Sequence, residues 1–360
     1  MNTKKLLGQF SNLVSPSGYE YMAETEIKKI IAENFDGVFH EVSFDKFGGC
    51  HLIKKASPQI ENPKKIMIDA HIDQIGLVVT EILEDGFVSV ESLGGLNVNI
   101  LPASEFYLHT YSEDEPYIFS ADKKIPAIAV SVPPHLKKTE ANILPPLEEL
   151  YLDTGYNSKE ALEKIVRVGS PITFKPNFIS LENDLVSCSA MDDRVCAAVM
   201  LLAAKSAKNT SETEIHMVLS AGEETSGPGA ATAAFKIQPD FAVVLDVDFS
   251  RDPGVEAAVS IEMGKGPGIA YSAATNIKLT KKIINLAKDK KIPAQTNANP
   301  ASTSTNADII QITGEGVPCV LVSVPVKNMH TSNEICSIKD IEAMAQLIRE
   351  IMENAEELIL

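Results

Sequence analysis

The stretch KKIMIDAHIDQIGLVV, residues 64–79, has the apolar character of a buried β-strand but carries charged and imidazole groups near its centre. Apolar residues lead into Asp69, His71 and Asp73, and a second apolar run follows them. A histidine between two aspartates in such a strand is either a hydrogen-bonded core residue or the first ligand of a metal site. The rest of the chain decides between these two interpretations.

The composition is that of an ordinary soluble globular protein. The 360 residues allow a large core, and apolar and charged residues make up 44% and 22% of the chain. The net charge of −17 argues against nucleic acid and anionic membrane surfaces as partners. Five cysteines without CxxC spacing favour isolated thiols in a reducing compartment. Without a signal peptide or a run of membrane-spanning length, we expect a cytoplasmic protein.

Two kinds of sequence pattern alternate along the chain. Residues 77–184 contain short alternating runs separated by Gly, Pro and Asn or Asp, which predicts a small antiparallel β domain. After residue 184 come an Ala-rich helical stretch, RVCAAVMLLAAKSA, and the apolar strand-length runs EIHMVLSA, FAVVLDV and VPCVLVSVP. These runs predict a mostly parallel sheet with helices on both faces. We therefore predict an α/β domain from residues 1–76 and 185–360, with the β domain 77–184 inserted into it.

Acidic residues and histidines follow the apolar runs that would form this sheet. The four runs are IMIDA, IHMVLSAG, FAVVL and CVLVSVPVKNM. In that order, they are followed by His71 and Asp73, by Glu223 and Glu224, by Asp246 and Asp248, and by His330. Asp192 and Asp193 lie at the start of the Ala-rich helix, where aspartates are commonly caps, and an acidic pair after a strand is commonly a solvated turn. However, ligands gather at the carboxyl ends of parallel strands. The groups are therefore predicted to converge as a nitrogen and oxygen ligand set suited to Zn²⁺, Mn²⁺ or Co²⁺.

The number of these groups favours a pair of metal ions. Two divalent ions need one carboxylate that bridges them and terminal ligands on each side. Asp192 can bridge, because it comes from a different element than the strand ends. The terminal ligands can come from His71, from Glu224 or Asp246, and from His330. One glutamate of GEETSG can coordinate while its neighbour acts as general base, and Asp73 can orient His71. This arrangement indicates a hydrolase.

A series of motifs along nearly the whole chain points to a known family. In order they are LVSPSGYE, DAHIDQIGLVV, SLGGLNVNILP, VSVPPHL, VGSPITFKPNF, SAMDDRVCAAV, SAGEETSGPGA, VVLDVDFSRDPG and VPVKNMHTSNEICSIKDIEAM. Together they resemble metallopeptidase family forty-two, which comprises glutamyl and tetrahedral aminopeptidases, some of which carry the name endoglucanase. The resemblance implies an α/β peptidase domain with an inserted small β-barrel used in oligomerisation. It also implies a homo-oligomer, from a dimer to a tetrahedral dodecamer.

Carried over by position, the resemblance implies a dinuclear metal-dependent aminopeptidase that removes the N-terminal residue from short peptides. The metal ligands would be His71, Asp192, Glu224, Asp246 and His330, with Asp192 as the bridge. A metal-bridging water would be the nucleophile, Glu223 the general base, and Asp73 the support of His71. Zinc is the expected metal, with cobalt or manganese as alternatives. No catalytic role is expected for His40, His51, His109, His135 and His216.

Three segments depart from the family pattern. Gln74 and Asn306 stand where the family has carboxylates, and residues 225–229 read TSGPG instead of Val-Gly-Leu-Arg-Gly. The departures leave the ligand set intact but predict a less negative substrate pocket. They motivate one alternative, a catalytically weakened family member that acts as an oligomeric metal-binding protein. A glycoside hydrolase is the other alternative, although the adjacent Glu223 and Glu224 do not supply the separated carboxyl pair that this chemistry needs.

Overall fold

A computed structural model describes residues 2–111, 118–132, 147–208, 212–257 and 260–360 of the chain. Within them the helices are α1 (Thr3–Phe10), α2 (Glu24–Asn34), α3 (Lys159–Leu162), α4 (Met191–Ser206), α5 (Pro228–Ile237), α6 (Ile277–Asp289), α7 (Ala307–Ile310), α8 (Ile338–Glu353) and α9 (Ala355–Leu358). The strands are β1 (Glu41–Phe44), β2 (Cys50–Lys54), β3 (Lys64–His71), β4 (Gly76–Ile82), β5 (Val88–Leu93), β6 (Glu105–Tyr111), β7 (Phe119–Val130), β8 (Tyr151–Asp153), β9 (Pro171–Phe174), β10 (Ile179–Ser180), β11 (Leu185–Cys188), β12 (Thr213–Ser220), β13 (Phe241–Phe249), β14 (Gly268–Ser272), β15 (Gln295–Asn299), β16 (Cys319–Val326) and β17 (Glu334–Ser337). None of the helices in these ranges is long and apolar enough to span a membrane.

Eight strands form the central sheet, in the order β1-β2-β12-β3-β13-β16-β14-β15. The four inner strands β12, β3, β13 and β16 run parallel, with Ser220 opposite His71 and Asp246 opposite Ser323. The outer strands β2 and β14 are antiparallel to their inner neighbours. Because the inner strands are covered on both faces, their Val, Ile and Leu runs are continuous rather than alternating. The prediction of a mostly parallel sheet is confirmed.

Helices cover both faces of this sheet, as the sequence predicted. On β3, Ile66, Ile68 and Ala70 pack in a core shared with α1, α4 and α8. The intervening Met67 packs in a separate cluster that contains residues of α5 and α7. This alternation follows from the two-residue repeat of a strand, whose successive side chains point to opposite faces. The Ala-rich α4 contacts α1, α8 and the sheet. Because α4 is buried on all sides, its own residues are mostly apolar all around the helix.

The inserted segment forms a closed antiparallel barrel with the strand order β4-β5-β8-β7-β6-β9. Strand β9 pairs with β4 and closes the barrel, with Leu77 opposite Ile172. Alternate residues of the strands point inward, and the rings of Phe106 and Phe174 stack with their centroids 4.8 Å apart. The predicted small β-barrel is confirmed.

We propose a division of the chain close to the one predicted from the sequence, at residues 1–76, 77–184 and 185–360. Strand β3 comes from the first segment, yet it lies between β12 and β13 of the third. The barrel strands begin at Gly76 and end at Phe174. Strand β10 pairs with β11, and β11 pairs with β17 near the C-terminus. We propose that the chain returns to the α/β domain by Ile179, slightly before the position predicted from the sequence.

Candidate active site

The carboxyl ends of the parallel strands bring the predicted site residues to one edge of the sheet. Strand β3 ends at His71, and the neighbouring β12 ends just before the turn that carries two glutamates. Strand β13 contributes an aspartate, the loop after β16 a histidine, and the first turn of α4 another aspartate. Together these elements present His71, Asp192, Glu223, Glu224, Asp246 and His330.

Asp192 lies at the centre of this group. Its Oδ1 is 3.1 Å from Nε2 of His71, and its Oδ2 is 3.2 Å from Nε2 of His330. Nε2 of His330 also lies 3.4 Å from Oε2 of Glu224. Each carboxylate oxygen of Asp192 thus faces a different histidine, which is the arrangement expected of a carboxylate shared by two cations.

Two overlapping sets of ligand atoms are compact enough to hold a cation. The first set is His71, Asp192 and Glu224, and the second is His71, Asp193 and Asp246. Within each set, one ligand atom from every residue lies within 4.8 Å of the ligand atoms of the other two. Asp193 was among the acidic groups predicted at this edge but was not assigned as a metal ligand. It also accepts a hydrogen bond from the backbone N–H of His71 at 3.1 Å. The only signal in the sequence was its place beside Asp192, and adjacency does not show where either side chain points.

Asp73 holds together the two segments that carry the histidine and the glutamates. Its backbone carbonyl lies 3.2 Å and its Oδ1 3.4 Å from Nδ1 of His71. Its carboxylate accepts the backbone N–H groups of Glu223 at 3.0 Å and Glu224 at 3.2 Å. The hydroxyl of Ser17 donates to the same carboxylate at 2.5 Å. Asp73 therefore orients the imidazole and also fixes the turn that follows β12.

The buried carboxylates of this edge outnumber the basic groups beside them, which are His71, His330 and Arg194. Burial raises the pKa of Asp193, Glu224 and Asp246 well above the usual carboxyl range, and neighbouring carboxylates add to the effect. Oε1 of Glu224 and Oδ1 of Asp193 have no hydrogen-bond partner among the described residues. Buried carboxylates need a cation or a donor to compensate them. Nitrogen and oxygen donors without thiolates suit Zn²⁺, Mn²⁺ or Co²⁺, so the residues fit divalent metal ions.

Glu223 has the position and the acidity of a proton acceptor. Its Oε2 lies 3.9 Å from Nε2 of His71, and its side chain lines the cleft in front of the ligand set. Burial raises its pKa to about 7, and the charges of nearby carboxylates contribute. A carboxyl group with a pKa near neutrality can both accept and return a proton during a reaction.

Glu334 is a further site residue that the sequence-based prediction missed. One of its carboxylate oxygens accepts the backbone N–H of Asp192 at 3.0 Å, and the other accepts that of His330 at 2.7 Å. It is buried, and burial raises its pKa to about 8. His330 has a φ of 61°, in the left-handed region, and the bond from Glu334 stabilises this conformation. Glu334 therefore positions two of the predicted ligands through their backbone.

Comparison with known proteins gives this geometry a family. A model of the M42 glutamyl aminopeptidase family matches residues 49–347 of the chain. The chain belongs to the M42 family. It is therefore a metal-dependent aminopeptidase, and the fold and the family predicted from the sequence are confirmed.

Three proteins show how far the likeness to M42 enzymes extends. Lysyl aminopeptidase of Pyrococcus furiosus is 30% identical over 341 residues, which cover 94% of this chain and 93% of that protein. The TET aminopeptidase of a marine-sediment Thaumarchaeota archaeon is 27% identical, with a TM-score of 0.88 over 99% of this chain and 98% of that chain. The Pyrococcus horikoshii TET1 peptidase, which can assemble into a tetrahedron or a large octahedral shell, has a TM-score of 0.81 at 22% identity over 98% and 99% of the two chains. At that identity, the last comparison shows the fold alone.

A cleft with a volume of about 440 Å³ lies in front of the ligand set of this M42 enzyme. Its described lining includes Gly95, Val247, Asp248, Phe249, Thr303, Ser304, Thr305 and Met329, in addition to the site residues. Gly94 and Gly95 come from the barrel side, directly after β5. The carbonyl of Gly95 accepts a hydrogen bond from Nδ1 of His330 at 2.6 Å. If residue 94 had a side chain, its Cβ would lie only 3.1 Å from the Cβ of Glu224. The double glycine thus lets the barrel approach the ligands closely.

The departures from the M42 pattern do not alter the wall of the cleft. Gln74 is buried, and its Oε1 accepts a hydrogen bond from the Arg194 guanidinium at 2.5 Å. Asn306 is buried as well and donates to Oδ2 of Asp69 at 2.8 Å. In the TSGPG segment, the last two residues begin α5. Gln74 and Asn306 do not line the cleft, and the expectation that they make the pocket less negative stays a prediction.

The other histidines of the described chain lie outside the ligand set. They are His40 beside the Lys55 N–H, His51 beside Asp45, His109 beside Thr173, and His216 beside Glu214. His135 lies outside the described residues. All five cysteines are buried free thiols, as predicted.

Proposed function

We propose that the chain is a dinuclear metal-dependent aminopeptidase that removes the N-terminal residue from short peptides. The observation that carries this proposal is Asp192, whose two carboxylate oxygens face His71 and His330 at 3.1 and 3.2 Å beside an open cleft. The proposed ligands are His71, Asp192, Glu224, Asp246 and His330, with Asp192 as the bridge. Zn²⁺ is the proposed metal, and Co²⁺ or Mn²⁺ would suit the same donors.

The chemistry divides between the metals and the side chains. Divalent ions, when bound, polarise the scissile carbonyl and lower the pKa of water. Glu223 accepts the proton of the attacking water and returns it to the departing amine, because its carboxylate lines the cleft beside His71. Asp73 keeps His71 in one orientation and holds the turn that carries Glu223.

The oligomer and its location are part of the proposal. The likeness to a TET aminopeptidase over 99% of the chain supports a homo-oligomer, from a dimer to a tetrahedral dodecamer. Five free thiols support a reducing cytoplasm. The family and its relatives carry different residue names, glutamyl and lysyl, so membership alone does not define the preferred N-terminal residue. Native mass spectrometry of the metal-loaded protein measures the number of subunits.

Glu223→Gln tests the proposed mechanism. A glutamine side chain cannot accept the proton, so kcat for peptide hydrolysis is expected to fall about 10²- to 10⁴-fold. Rates are measured with aminoacyl p-nitroanilides on protein reconstituted with Zn²⁺ or Co²⁺, and metal content is determined in parallel. Glu214→Gln is the matched control, because Glu214 pairs with His216 away from the cleft.

Three results would contradict this function or its mechanism. Hydrolysis that persists after complete removal of metals excludes metal-dependent chemistry at this site. Wild-type activity of Glu223→Gln with its metals in place excludes Glu223 as the general base. A protein that binds two metals per chain and assembles, but hydrolyses no peptide substrate, would instead be an oligomeric metal-binding protein.

A further inference from the structure

A carboxylate outside the proposed ligand set faces the substrate cleft. Asp248 follows Asp246 by two residues on β13, so both side chains point to the same face of the strand. Asp248 lines the cleft but belongs to neither compact set of ligand atoms. The strand rise places the two α-carbons about 7 Å apart. A substrate residue held at the metals could therefore extend its side chain as far as Asp248.

The partners of Asp248 leave its charge uncompensated. Its Oδ1 accepts the backbone N–H of Phe249 at 2.7 Å, and its Oδ2 accepts the Asn297 side-chain amide at 2.7 Å. Both donors are neutral. Among the described residues that line the cleft, none is lysine or arginine, and the basic group His330 faces Asp192 and Glu224 instead. Asp248 is thus a carboxylate on the cleft wall whose described hydrogen-bond partners are both neutral.

Apolar side chains lie next to this carboxylate. Val247, Phe249 and Met329 line the same cleft, and Phe249 is half exposed. Lysine and arginine bury their aliphatic stems on apolar surface while their charged heads reach a polar partner. A cleft that has both an apolar wall and an unpaired carboxylate matches such side chains. It would also repel a glutamyl or aspartyl side chain, because like charges would face each other.

We propose that Asp248 is a specificity-determining residue that selects peptides with lysine or arginine at the N-terminus. This inference rests on the proposed aminopeptidase function and names its substrate class. The side-chain cation of the substrate contacts the Asp248 carboxylate, while its α-amino group stays near the metal ligands. The chain's net charge of −17 further favours the approach of cationic peptides.

The test compares substrates that differ in the charge of one side chain. Lysyl, methionyl and glutamyl p-nitroanilides are assayed with wild type, Asp248→Asn and the charge-reversing Asp248→Arg, all reconstituted with the same metal. Wild type is expected to prefer lysyl over methionyl substrate. In Asp248→Asn, kcat/KM for lysyl substrate is expected to fall about 10- to 100-fold, because an ionic hydrogen bond is lost, with methionyl substrate little changed. Asp248→Arg is expected to gain activity on glutamyl substrate.

The methionyl substrate reports on folding and metal content within each variant. Asp252→Asn serves as a matched control, because Asp252 pairs with Lys327 at 2.9 Å and does not line the cleft. Equal losses on all three substrates in Asp248→Asn would overturn the proposal, since Asp248 would then contact the shared α-ammonium group. An unchanged lysyl-to-methionyl ratio would overturn it as well. Absence of hydrolysis of every substrate by wild type would instead refute the aminopeptidase function itself.

Discussion

His71 and His109 are both buried strand histidines, one in the sheet and one in the barrel, and their surroundings differ in charge. Burial alone would lower the pKa of His71, but hydrogen bonds with Asp192 and Asp73 hold it well above its ordinary value. His109 has a hydroxyl partner, Thr173, and burial lowers its pKa to about 4. Burial of a histidine therefore does not identify a ligand. His71 differs in that carboxylates from three separate segments face it, whereas His51 and His216 each face one carboxylate.

The sheet edge that carries the site and the barrel differ in buried charge, as their two histidines do. Within the described barrel strands, no aspartate, glutamate, lysine or arginine is buried. The interior is filled mainly by aliphatic and phenylalanine side chains, with His109 and Thr173 as a hydrogen-bonded polar pair. The edge of the sheet buries a cluster of carboxylates together with the guanidinium of Arg194. Desolvated charges oppose folding unless they are paired. The barrel is thus stabilised by ordinary apolar packing, whereas the site depends on hydrogen bonds to charged groups and on the cations it binds.

The largest expected effect comes from replacing a buried basic side chain of the sheet edge by methionine, in comparison with an exposed basic side chain of the barrel. Arg194 is 1% exposed and donates to the carbonyls of Ile72, Phe10 and Leu13. Arg194→Met leaves these acceptors unpaired, so the free energy of unfolding is expected to fall by about 3–5 kcal/mol. Lys175→Met is the matched control, because Lys175 pairs with Glu105 at the barrel surface. It is expected to change stability little.

Chemical denaturation of both metal-loaded variants at neutral pH measures the two effects. Arg194 joins the N-terminal segment to the end of β3, so its loss is also expected to weaken metal binding. Equal stabilities of the two variants would show that the buried guanidinium is not needed to hold these segments together. In that case the distinction between the charged edge and the apolar barrel would lose its main energetic support.

Acid sensitivity of the barrel provides the next test. The unfolded chain protonates His109 near pH 6.5, whereas the folded barrel does so only near pH 4. Between these values the unfolded state binds more protons, so stability falls as the pH is lowered from about 6.5 to about 4. The cost from this group is about 3 kcal/mol. His109→Gln stays neutral and keeps a hydrogen-bonding side chain, so it should lack this loss.

Denaturation curves of wild type and His109→Gln between pH 7 and pH 4 isolate the contribution. The carboxylates of the site titrate in both proteins and cancel in the difference. The variant is therefore expected to gain about 3 kcal/mol relative to wild type over this range. A difference that stays constant with pH would mean that the folded barrel accepts a charged histidine. His109 would then resemble His71 more closely than its surroundings suggest.

Periodic and extended features of the fold could be predicted from the sequence. Continuous apolar runs gave β12, β13 and β16, and the Ala-rich stretch gave α4, because burial on all sides leaves a clear pattern. Alternating runs gave the barrel strands. The rule that the carboxyl ends of parallel strands lie at one edge of a sheet predicts that His71 and Asp246 lie close together. These inferences needed only the direction of each strand.

The orientation of single side chains could not be predicted. Asp192 and Asp193 are neighbours in a capping position, and only the folded chain shows that one faces two histidines while the other contacts the His71 N–H. Asn306 occupies a motif near the cleft, yet its amide turns inward to Asp69. Glu334 follows a polar turn and has the sequence character of a solvated residue. Their roles depend on contacts between segments far apart in the chain, which leave no local pattern.

Glu334 supplies the last and smallest test, because it is a buried carboxylate of the charged edge that does not line the cleft. In Glu334→Gln, an amide NH₂ replaces one of the oxygens that accept the backbone N–H groups of Asp192 and His330. One donor is left unpaired, and the two proposed ligands lose their common support. Metal affinity is expected to fall about 10- to 100-fold, with KM unchanged at saturating metal.

Competition titrations of metal-free protein with Zn²⁺ and a chelator measure this affinity, and kcat and KM are determined at saturating metal. Glu262→Gln is the control, since Glu262 pairs with Arg251 at the surface. If Glu334→Gln binds metal as tightly as wild type, the backbone of Asp192 and His330 is held by other contacts, and Glu334 is a merely tolerated buried acid. If the affinity falls while KM stays constant, the charged edge owes its metal binding to a carboxylate that contacts neither metal nor substrate. The apolar barrel, in which every described strand lacks such a buried acid, contains nothing equivalent.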